Sequence, residues 1–265
     1  MAAKDRIGIG DLRESLVALQ DKVRRDPADP KQRVFLFQLL VVDGQWARAS
    51  TQLEACAQLD PTLESMAAIY RVALRAEATR RAVFQATTTP TVFGEPQGWE
   101  AGLVEAMRLS IHDRKDEATE LRLRAYDGAP AVEGVIDGTD FLWFSDADNR
   151  LGPVLEAILN GQYLWIPFDR IKAIRIQPPT DLRDLVWLPA AFTWTNGGEA
   201  SGMIPSRYPD SENQADSDIR LGRRTDWSPI GEDHYAGLGQ RMFATDSGEY
   251  PLLDVRHIEF KSGHG

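Results

Sequence analysis

Residues 31–61 read KQRVFLFQLLVVDGQWARASTQLEACAQLDP, and they carry the strongest indication of how the N-terminal part folds. A first predicted helix fills the stretch up to Asp43, and Gly44 ends it. A second predicted helix runs from Trp46 to about Leu59, where the following Asp-Pro pair stops it because proline cannot continue the hydrogen-bond ladder. The spacing of the second half of a tetratricopeptide repeat recurs at Gly44, Trp46, Ala49, Leu53, Cys56 and Pro61. The stretch therefore predicts a pair of helices of the tetratricopeptide type.

Two further predicted helices flank this pair. Residues 11–25 carry apolar side chains at spacings of four, three and four, which form one face of a helix with Asp11 at its N-cap. Residues 63–85 are predicted to form the other flanking helix. A single repeat cannot bury its own apolar face, so both neighbours are required to stack on it. We therefore assign residues 1–86 to a helical, tetratricopeptide-like region, a type of surface that binds proteins more often than it catalyses reactions.

Residues 87–130 are predicted to form the end of a linker followed by a long helix. The linker, residues 86–98, is rich in threonine, proline and glycine and shows no helical or strand periodicity. The helix is predicted from about Trp99 to Tyr126, where Asp127-Gly128 ends it.

Residues 131–265 change to short apolar runs separated by turns. Asp137-Gly138 and Asn196-Gly197 each lie between such runs, which is a strong signal for a β-hairpin. Residues 151–160 are predicted to form one short helix that Gly161 stops. Further predicted strands are QYLWIPF (162–168), IKAIRIQ (171–177) and two strands around Asp246–Glu249. The predicted fold class is thus α+β, with a tetratricopeptide-like helical region followed by a Trp-rich, mostly antiparallel α+β domain.

The composition of the whole chain limits its possible functions. The formal net charge is −10 at pH 7, and the sequence lacks the concentrated basic face that binds nucleic acid phosphates. No stretch approaches the roughly 18 uncharged apolar residues of a membrane-spanning helix. Cys56 is the only cysteine, so the sequence requires no oxidising compartment. We therefore expect a cytoplasmic protein that binds neither nucleic acid nor membrane.

The sequence predicts no metal site and no cofactor, because its four histidines are scattered without ligand spacing. The strongest catalytic candidates are Asp146 and Asp148, whose carboxylates could act as an acid–base pair in a hydrolase or transferase. The alternative, which we favour, is that one of them caps the predicted helix near residue 151 while Arg150 pairs with one of them.

Residues 178–190, PPTDLRDLVWLPA, combine paired prolines with charged residues and Trp187. A stiff, charged elbow followed by an aromatic side chain is typical of a recognition surface. The same residues also suit a buried salt-bridge cluster at a domain junction. Residues expected to act as caps or in salt bridges are Asp146, Asp148, Arg150 and Asp184.

Long runs of the sequence resemble a known family. This family is ImpE (TagJ), whose members are accessory proteins of bacterial type VI secretion. Its C-terminal signature is similar to residues 145–190, SDADNRLGPVLEAILNGQYLWIPFDRIKAIRIQPPTDLRDLVWLPA. The signature is also similar to three later runs, TNGGE, PSRYP and GLGQRMFATDSGEYPLLDVR. The repeat-like stretch quoted above resembles the start of the same family. The similarity spans about residues 10–260.

The resemblance implies a non-catalytic adaptor. Members of the family bind the small subunit of the contractile sheath through that subunit's N-terminal helix, and they are linked to the AAA+ ATPase that recycles the sheath. We accordingly expect an amphipathic partner helix to lie in a hydrophobic groove of this chain. The competing hypotheses are the enzyme described above and a generic repeat-based chaperone. Candidate anchors for the partner, taken as exposed although each also suits the core, are Trp143, Tyr163, Trp165, Arg183 and Trp187.

Overall fold

The computed structural model describes residues 11–261, and its N-terminal part is helical. Four helices confirm those predicted for this region. Asp11 caps the first helix by accepting the backbone N–H of Glu14 at 2.8 Å, and Asp29 caps the second in the same way. The helices are α1 (Leu12–Arg25), α2 (Pro30–Val42), α3 (Trp46–Leu59) and α4 (Glu64–Phe84).

Two helices replace the single long helix predicted over residues 99–126, so that prediction is wrong. Helix α5 covers Gly98–Ile111, helix α6 covers Lys115–Gly128, and the two pack against each other. Asp113 lies between them with a φ of 59°, a left-handed conformation that aspartate adopts more readily than most residues. The apolar periodicity of residues 99–126 does not predict this break between the helices, because no glycine or proline lies there.

A nine-stranded sheet forms the centre of the C-terminal half. Its strands are β1 (Thr91–Val92), β2 (Gly134–Ile136), β3 (Thr139–Phe141), β5 (Val154–Leu159), β6 (Gln162–Pro167), β7 (Ile171–Ile176), β8 (Trp187–Trp194), β9 (Glu199–Pro205) and β14 (His257–Phe260). They are ordered β1-β6-β5-β9-β8-β7-β14-β2-β3, and among these described pairs β1 with β6 is the parallel one. The predicted fold class, α+β with a mostly antiparallel sheet, is confirmed.

The helix predicted over residues 151–160 is wrong, since this segment forms strand β5 instead. Every residue of β5 is buried, including Glu156, and a mostly apolar run without alternation cannot be distinguished by periodicity from a buried helix. Asn160 and Gly161 join β5 to β6 with φ angles of 49° and 86°. Both angles are positive, as a type I′ hairpin turn requires, and Asn-Gly is a preferred pair for that turn.

Two smaller sheets complete the C-terminal half. One contains β4 (Phe144–Asp146), β12 (Met242–Thr245) and β13 (Gly248–Pro251), which confirms the strands predicted around residues 246–249. The other is the hairpin of β10 (Thr225–Gly231) and β11 (His234–Gly239).

One hydrophobic core joins the helices to the large sheet. The ring of Trp187, at the start of β8, lies 5.9 Å from the ring of Trp46 and 6.1 Å from that of Tyr70, measured between centroids. The ring of Trp165 in β6 lies 6.4 Å from Phe84 of α4. Aromatic pairs at these separations add to the stabilisation that burial alone provides. The two halves are therefore held together by large side chains from both.

The boundaries proposed at residues 86 and 130 stay predictions. The core does not divide at either position, because side chains from both sides of each contribute to it. Helices long and apolar enough to cross a membrane are absent from the part of the chain between residues 11 and 261.

Candidate functional site

A cavity of about 590 Å³ opens on the surface of the C-terminal half. Its walls come from the end of α6, the segment around β4 and the hairpins β10–β11 and β12–β13. Three aromatic side chains in these walls remain exposed, Trp143 by 43%, Trp227 by 38% and Tyr235 by 43%. Contiguous exposed apolar surface of this kind marks interaction sites. We call the cavity the aromatic groove, and its lining includes Trp143, Trp227, Tyr235, Tyr126, Asp146, Asn149 and Glu249.

Hydrogen bonds between distant segments assemble the groove. The backbone N–H of Leu142 donates to Asp246 Oδ1 at 2.7 Å, which ties the loop carrying Trp143 to the β12–β13 hairpin. Asn149 Oδ1 accepts the backbone N–H of Tyr235 at 2.6 Å, and the Asn149 N–H donates to the Tyr235 carbonyl at 3.0 Å. These bonds hold the exposed rings on fixed backbone rather than on a free loop.

A glycine in the β10–β11 hairpin makes room for a supporting ring. Trp227 pairs with Gly237 across the hairpin, and a Cβ at Gly237 would lie 2.1 Å from Cδ2 of Tyr208. The Tyr208 ring lies instead against this glycine, with its centroid 5.8 Å from that of Trp227. Larger side chains at position 237 would displace Tyr208 and so disturb one wall of the groove.

Asp146 borders the aromatic groove but is almost wholly buried. Its Oδ1 accepts the backbone N–H of Asp148 and the hydroxyl of Tyr208, both at 2.9 Å. Its Oδ2 pairs with Arg241. Burial raises the pKa of the Asp146 carboxyl to about 6, although Arg241 opposes that rise. Both carboxylate oxygens are thus engaged within the protein.

Arg241 connects Asp146 to a wider network of buried charges. Its guanidinium also pairs with Glu156 of β5. Glu156 in turn pairs with Arg80 of α4 at 2.6 Å and accepts the Tyr163 hydroxyl at 2.6 Å. Burial alone would raise the pKa of Glu156, but the Arg80 and Arg241 guanidiniums lower it to about 2. The network therefore joins the helical region, the large sheet and the groove through ionised side chains.

Asp148 and Asp184 each close a local turn. Asp148 accepts the backbone N–H groups of Arg150 at 2.8 Å and Gly237 at 2.9 Å, and it pairs with the Arg150 side chain. A strand rather than the predicted helix follows, so Asp148 does not cap a helix there. Asp184 accepts the backbone N–H of Thr180 at 2.6 Å in the turn before β8.

Three of the four predicted aromatic anchors are buried. Trp143 lies in the groove, whereas Tyr163, Trp165 and Trp187 are exposed by only 3%, 0% and 0%. The expectation that these three are exposed is wrong, because β6 and β8 are inner strands of the large sheet. Their polar atoms are also partnered: Trp165 Nε1 donates to the Tyr163 hydroxyl at 2.8 Å, and Trp187 Nε1 donates to Glu77 at 3.1 Å. A partner cannot contact them without opening the core.

Arg183, the remaining predicted anchor, is largely covered. Its side chain pairs with Asp181, and the centre of its guanidinium lies 4.7 Å from the centroid of the Tyr70 ring. This cation–π contact joins the turn before β8 to helix α4. Arg183 is also absent from the lining of the aromatic groove.

Trp227 and Tyr235 are not among the anchors predicted from the sequence. Both belong to the hairpin TDWSPIGEDHYAGLG at residues 225–239. Trp227 pairs with Gly237 and Pro229 with Tyr235, and residues two apart on a strand share a face, so the two rings lie on the same face. The sequence did contain a signal for this hairpin. Two short runs flank a Gly-Glu-Asp turn, and each run has one aromatic residue.

Neither Cys56 nor a group of metal ligands forms a second site in the part of the chain between residues 11 and 261. Burial raises the pKa of the Cys56 thiol to about 11, so little of the reactive thiolate exists at neutral pH. Over residues 11–261, no three His, Cys, Asp or Glu side chains are grouped so as to hold a metal ion. The groove offers aromatic rings and carboxylates, which suit recognition of another molecule.

Comparison with known proteins identifies close relatives. A family model described as ImpE protein matches residues 138–259. The chain is similar to the type VI secretion system accessory component TagJ of Pseudomonas aeruginosa, at 44% identity over 261 residues that cover 98% of this chain and 92% of that protein. Its fold is similar to the crystal structure of protein VPA1032 from Vibrio parahaemolyticus, with a TM-score of 0.86, 26% identity and 94% of each chain covered.

Proposed function

The chain belongs to the ImpE family, and from that premise we propose that it is a non-catalytic accessory component of a type VI secretion system. In this proposal it acts in the cytoplasm as an adaptor. It binds the N-terminal helix of the small contractile-sheath subunit, and through the sheath it is linked to the AAA+ ATPase that recycles sheath subunits. The relative at 44% identity is named as an accessory component of this system, which supports the general role.

The observation that carries the proposal is the aromatic groove. Its rings from Trp143, Trp227 and Tyr235 line one cavity while remaining exposed. An amphipathic helix binds by inserting a few apolar side chains into such a concavity. Tryptophan and tyrosine dominate the binding energy of protein interfaces because each buries a large area at little entropic cost. We therefore place the apolar face of the partner helix in this groove.

The competing enzyme hypothesis has one observation in its favour, since Asp146 borders a cavity and the pKa of its carboxyl is raised. The contacts of both carboxylates argue for a structural role. Asp146 is occupied by Arg241 and Tyr208, and Asp148 by Arg150 and Gly237. A general acid or base needs hydrogen-bond reach to its substrate, and these oxygens are directed into the protein.

Calorimetric titration tests the proposal. The chain would be titrated with a synthetic N-terminal helix of the cognate small sheath subunit. We expect a one-to-one complex with a Kd in the micromolar range or tighter, about −8 kcal/mol. A scrambled peptide of the same composition should not bind; equal binding of both peptides would indicate a generic chaperone instead. Absence of heat with the native peptide, for folded protein and helical peptide, would contradict the proposal.

Alanine substitutions should locate the binding site. We expect Trp143→Ala and Trp227→Ala each to weaken peptide binding about 30-fold, because a central interface tryptophan contributes about 2 kcal/mol or more. The matched control is Ile69→Ala, which removes an exposed apolar side chain of α4 outside the groove and should change the Kd less than twofold. Similar losses in all three variants, or none in the tryptophan variants, would place the site elsewhere.

A further inference from the structure

The segments that form the aromatic groove have an unusual charge composition. Residues 125–149, 225–240 and 242–255 supply most of its lining. Together these segments contain twelve Asp and Glu residues and no Lys or Arg, although the whole chain has 30 Lys and Arg. Arginines border the segments at positions 124, 150, 224, 241 and 256, so the charge that reaches the groove depends on which carboxylates these arginines pair with.

Some of these carboxylates are neutralised by arginine or lysine from outside the three segments. Asp146 pairs with Arg241, Asp148 with Arg150 and Asp226 with Arg224. Glu133 and Asp140 both lie near Lys261. These pairs reduce the net charge that the three segments present at the surface.

Four carboxylates near the exposed rings have no cationic partner within 4 Å among the residues the structure describes. Glu232 and Asp233 form the turn of the β10–β11 hairpin, next to Tyr235. Asp246 holds the Leu142 N–H beside Trp143, and Glu249 lines the groove itself. All four residues are exposed, so they present negative charge to whatever occupies the groove.

Exposed aromatic faces beside unpaired carboxylates form a cation-binding surface. The face of an indole or phenol ring attracts ammonium and guanidinium groups, and adjacent carboxylates strengthen that attraction. On the basis of the proposed function, we propose that the occupant of the aromatic groove is a basic amphipathic helix. Its apolar side chains lie against Trp143 and Trp227, and its Lys or Arg side chains face Glu249 and the two hairpin turns.

A second cavity on the molecule has the opposite charge. This cavity, about 480 Å³ between α1 and α2, is lined by Leu19 and Phe35 together with Lys22 and Lys31. A basic helix is repelled from these lysines and attracted to the aromatic groove. Charge therefore favours the aromatic groove over the cavity between α1 and α2 as the site for a basic helix.

The inference predicts binding that depends on salt and on the charge of the peptide. Long-range attraction to an acidic groove raises association rates by about 10-fold or more, and salt screens it. We expect the association rate of the sheath-subunit peptide to fall about 10-fold between 50 and 500 mM NaCl. Glu249→Lys should lower that rate by a similar factor at low salt. The control Glu199→Lys changes the net charge identically at an exposed site away from the groove and should alter it less than twofold.

Two designed helices separate this inference from the function on which it rests. They share one apolar face and carry either lysines or glutamates on the polar face. We expect the lysine helix to bind with dependence on Trp143 and the glutamate helix not to bind. If the lysine helix binds but the sheath peptide does not, the inference stands and the sheath proposal is wrong. If the sheath peptide binds but is insensitive to salt and to Glu249→Lys, or the glutamate helix binds equally well, the inference is wrong.

Discussion

Replacing Glu156 by glutamine is expected to lower the free energy of unfolding by about 3–5 kcal/mol. Glu156 is fully buried between the guanidiniums of Arg80 and Arg241. Glutamine keeps the shape but removes the negative charge that compensates these two cations. Asp146 and Glu77 remain as partners, but neither can take the place of the bridging carboxylate. Buried cations that lose a partner are costly because the low-dielectric interior does not solvate them.

The same substitution predicts a particular dependence on pH. The pKa of Glu156 is lowered to about 2 from its ordinary value of 4.5. A carboxyl with a lowered pKa in the folded state stabilises that state fully above pH 4.5 and loses this contribution as the pH falls towards 2. A shift of this size corresponds to about 3 kcal/mol. The stability difference between wild type and Glu156→Gln should therefore be constant near neutral pH and shrink below pH 4.5.

Urea denaturation of both proteins at several pH values checks this prediction. The matched control is Glu54→Gln, which removes a carboxylate that pairs with Arg71 at 2.7 Å in a more exposed position. Exposed pairs contribute little because solvent screens them, so the control should lose only a small part of the stability lost by Glu156→Gln. Equal losses in the two variants would mean that the buried network is not held together by charge.

The second large effect is expected for Trp187→Ala, which should also lower the free energy of unfolding by about 3–5 kcal/mol. Trp187 is wholly buried, packs on Trp46 and Tyr70, and donates its indole N–H to Glu77. Truncation leaves a cavity at the junction of α3, α4 and β8 and removes the hydrogen-bond partner of a buried carboxylate.

Trp143→Ala is the matched control because it makes the same chemical change at an exposed position. It should alter the free energy of unfolding by no more than about 1 kcal/mol while weakening binding of the partner peptide. Thermal denaturation and titration of both variants separate the two roles. If Trp187→Ala were as stable as wild type and lost peptide binding, Trp187 would be a partner contact and the assignment of the core would be wrong.

Local signals predicted most of the secondary structure. Capping by Asp11 and the Gly44 break defined the N-terminal helices, and Asp137-Gly138 and Asn196-Gly197 marked the β2–β3 and β8–β9 hairpins. The failures have physical causes. Strand β5 is buried on both faces and so lacks the alternation of a half-exposed strand. The break between α5 and α6 occurs at Asp113, which has a positive φ. Helix propensity alone does not predict that a helix breaks at this aspartate.

The candidate site was harder to predict because burial is a property of tertiary structure. Trp143 and Trp187 both lie in short apolar runs of the sequence. In the structure, however, Trp143 lies in a surface groove and Trp187 lies in the core. The pair of Arg80 with Glu156 joins residues 76 positions apart, and no local pattern reveals such a pair. The acidic composition around the groove was readable from the sequence, but only the fold shows that these three segments meet.

A structure of the chain with the sheath-subunit helix bound would show whether the aromatic groove is the binding site. We expect the apolar face of the helix to lie against Trp143, Trp227 and Tyr235, with a lysine or arginine facing Glu249. A helix seated instead between α1 and α2, against Leu19 and Phe35, with the aromatic groove unoccupied, would contradict this expectation.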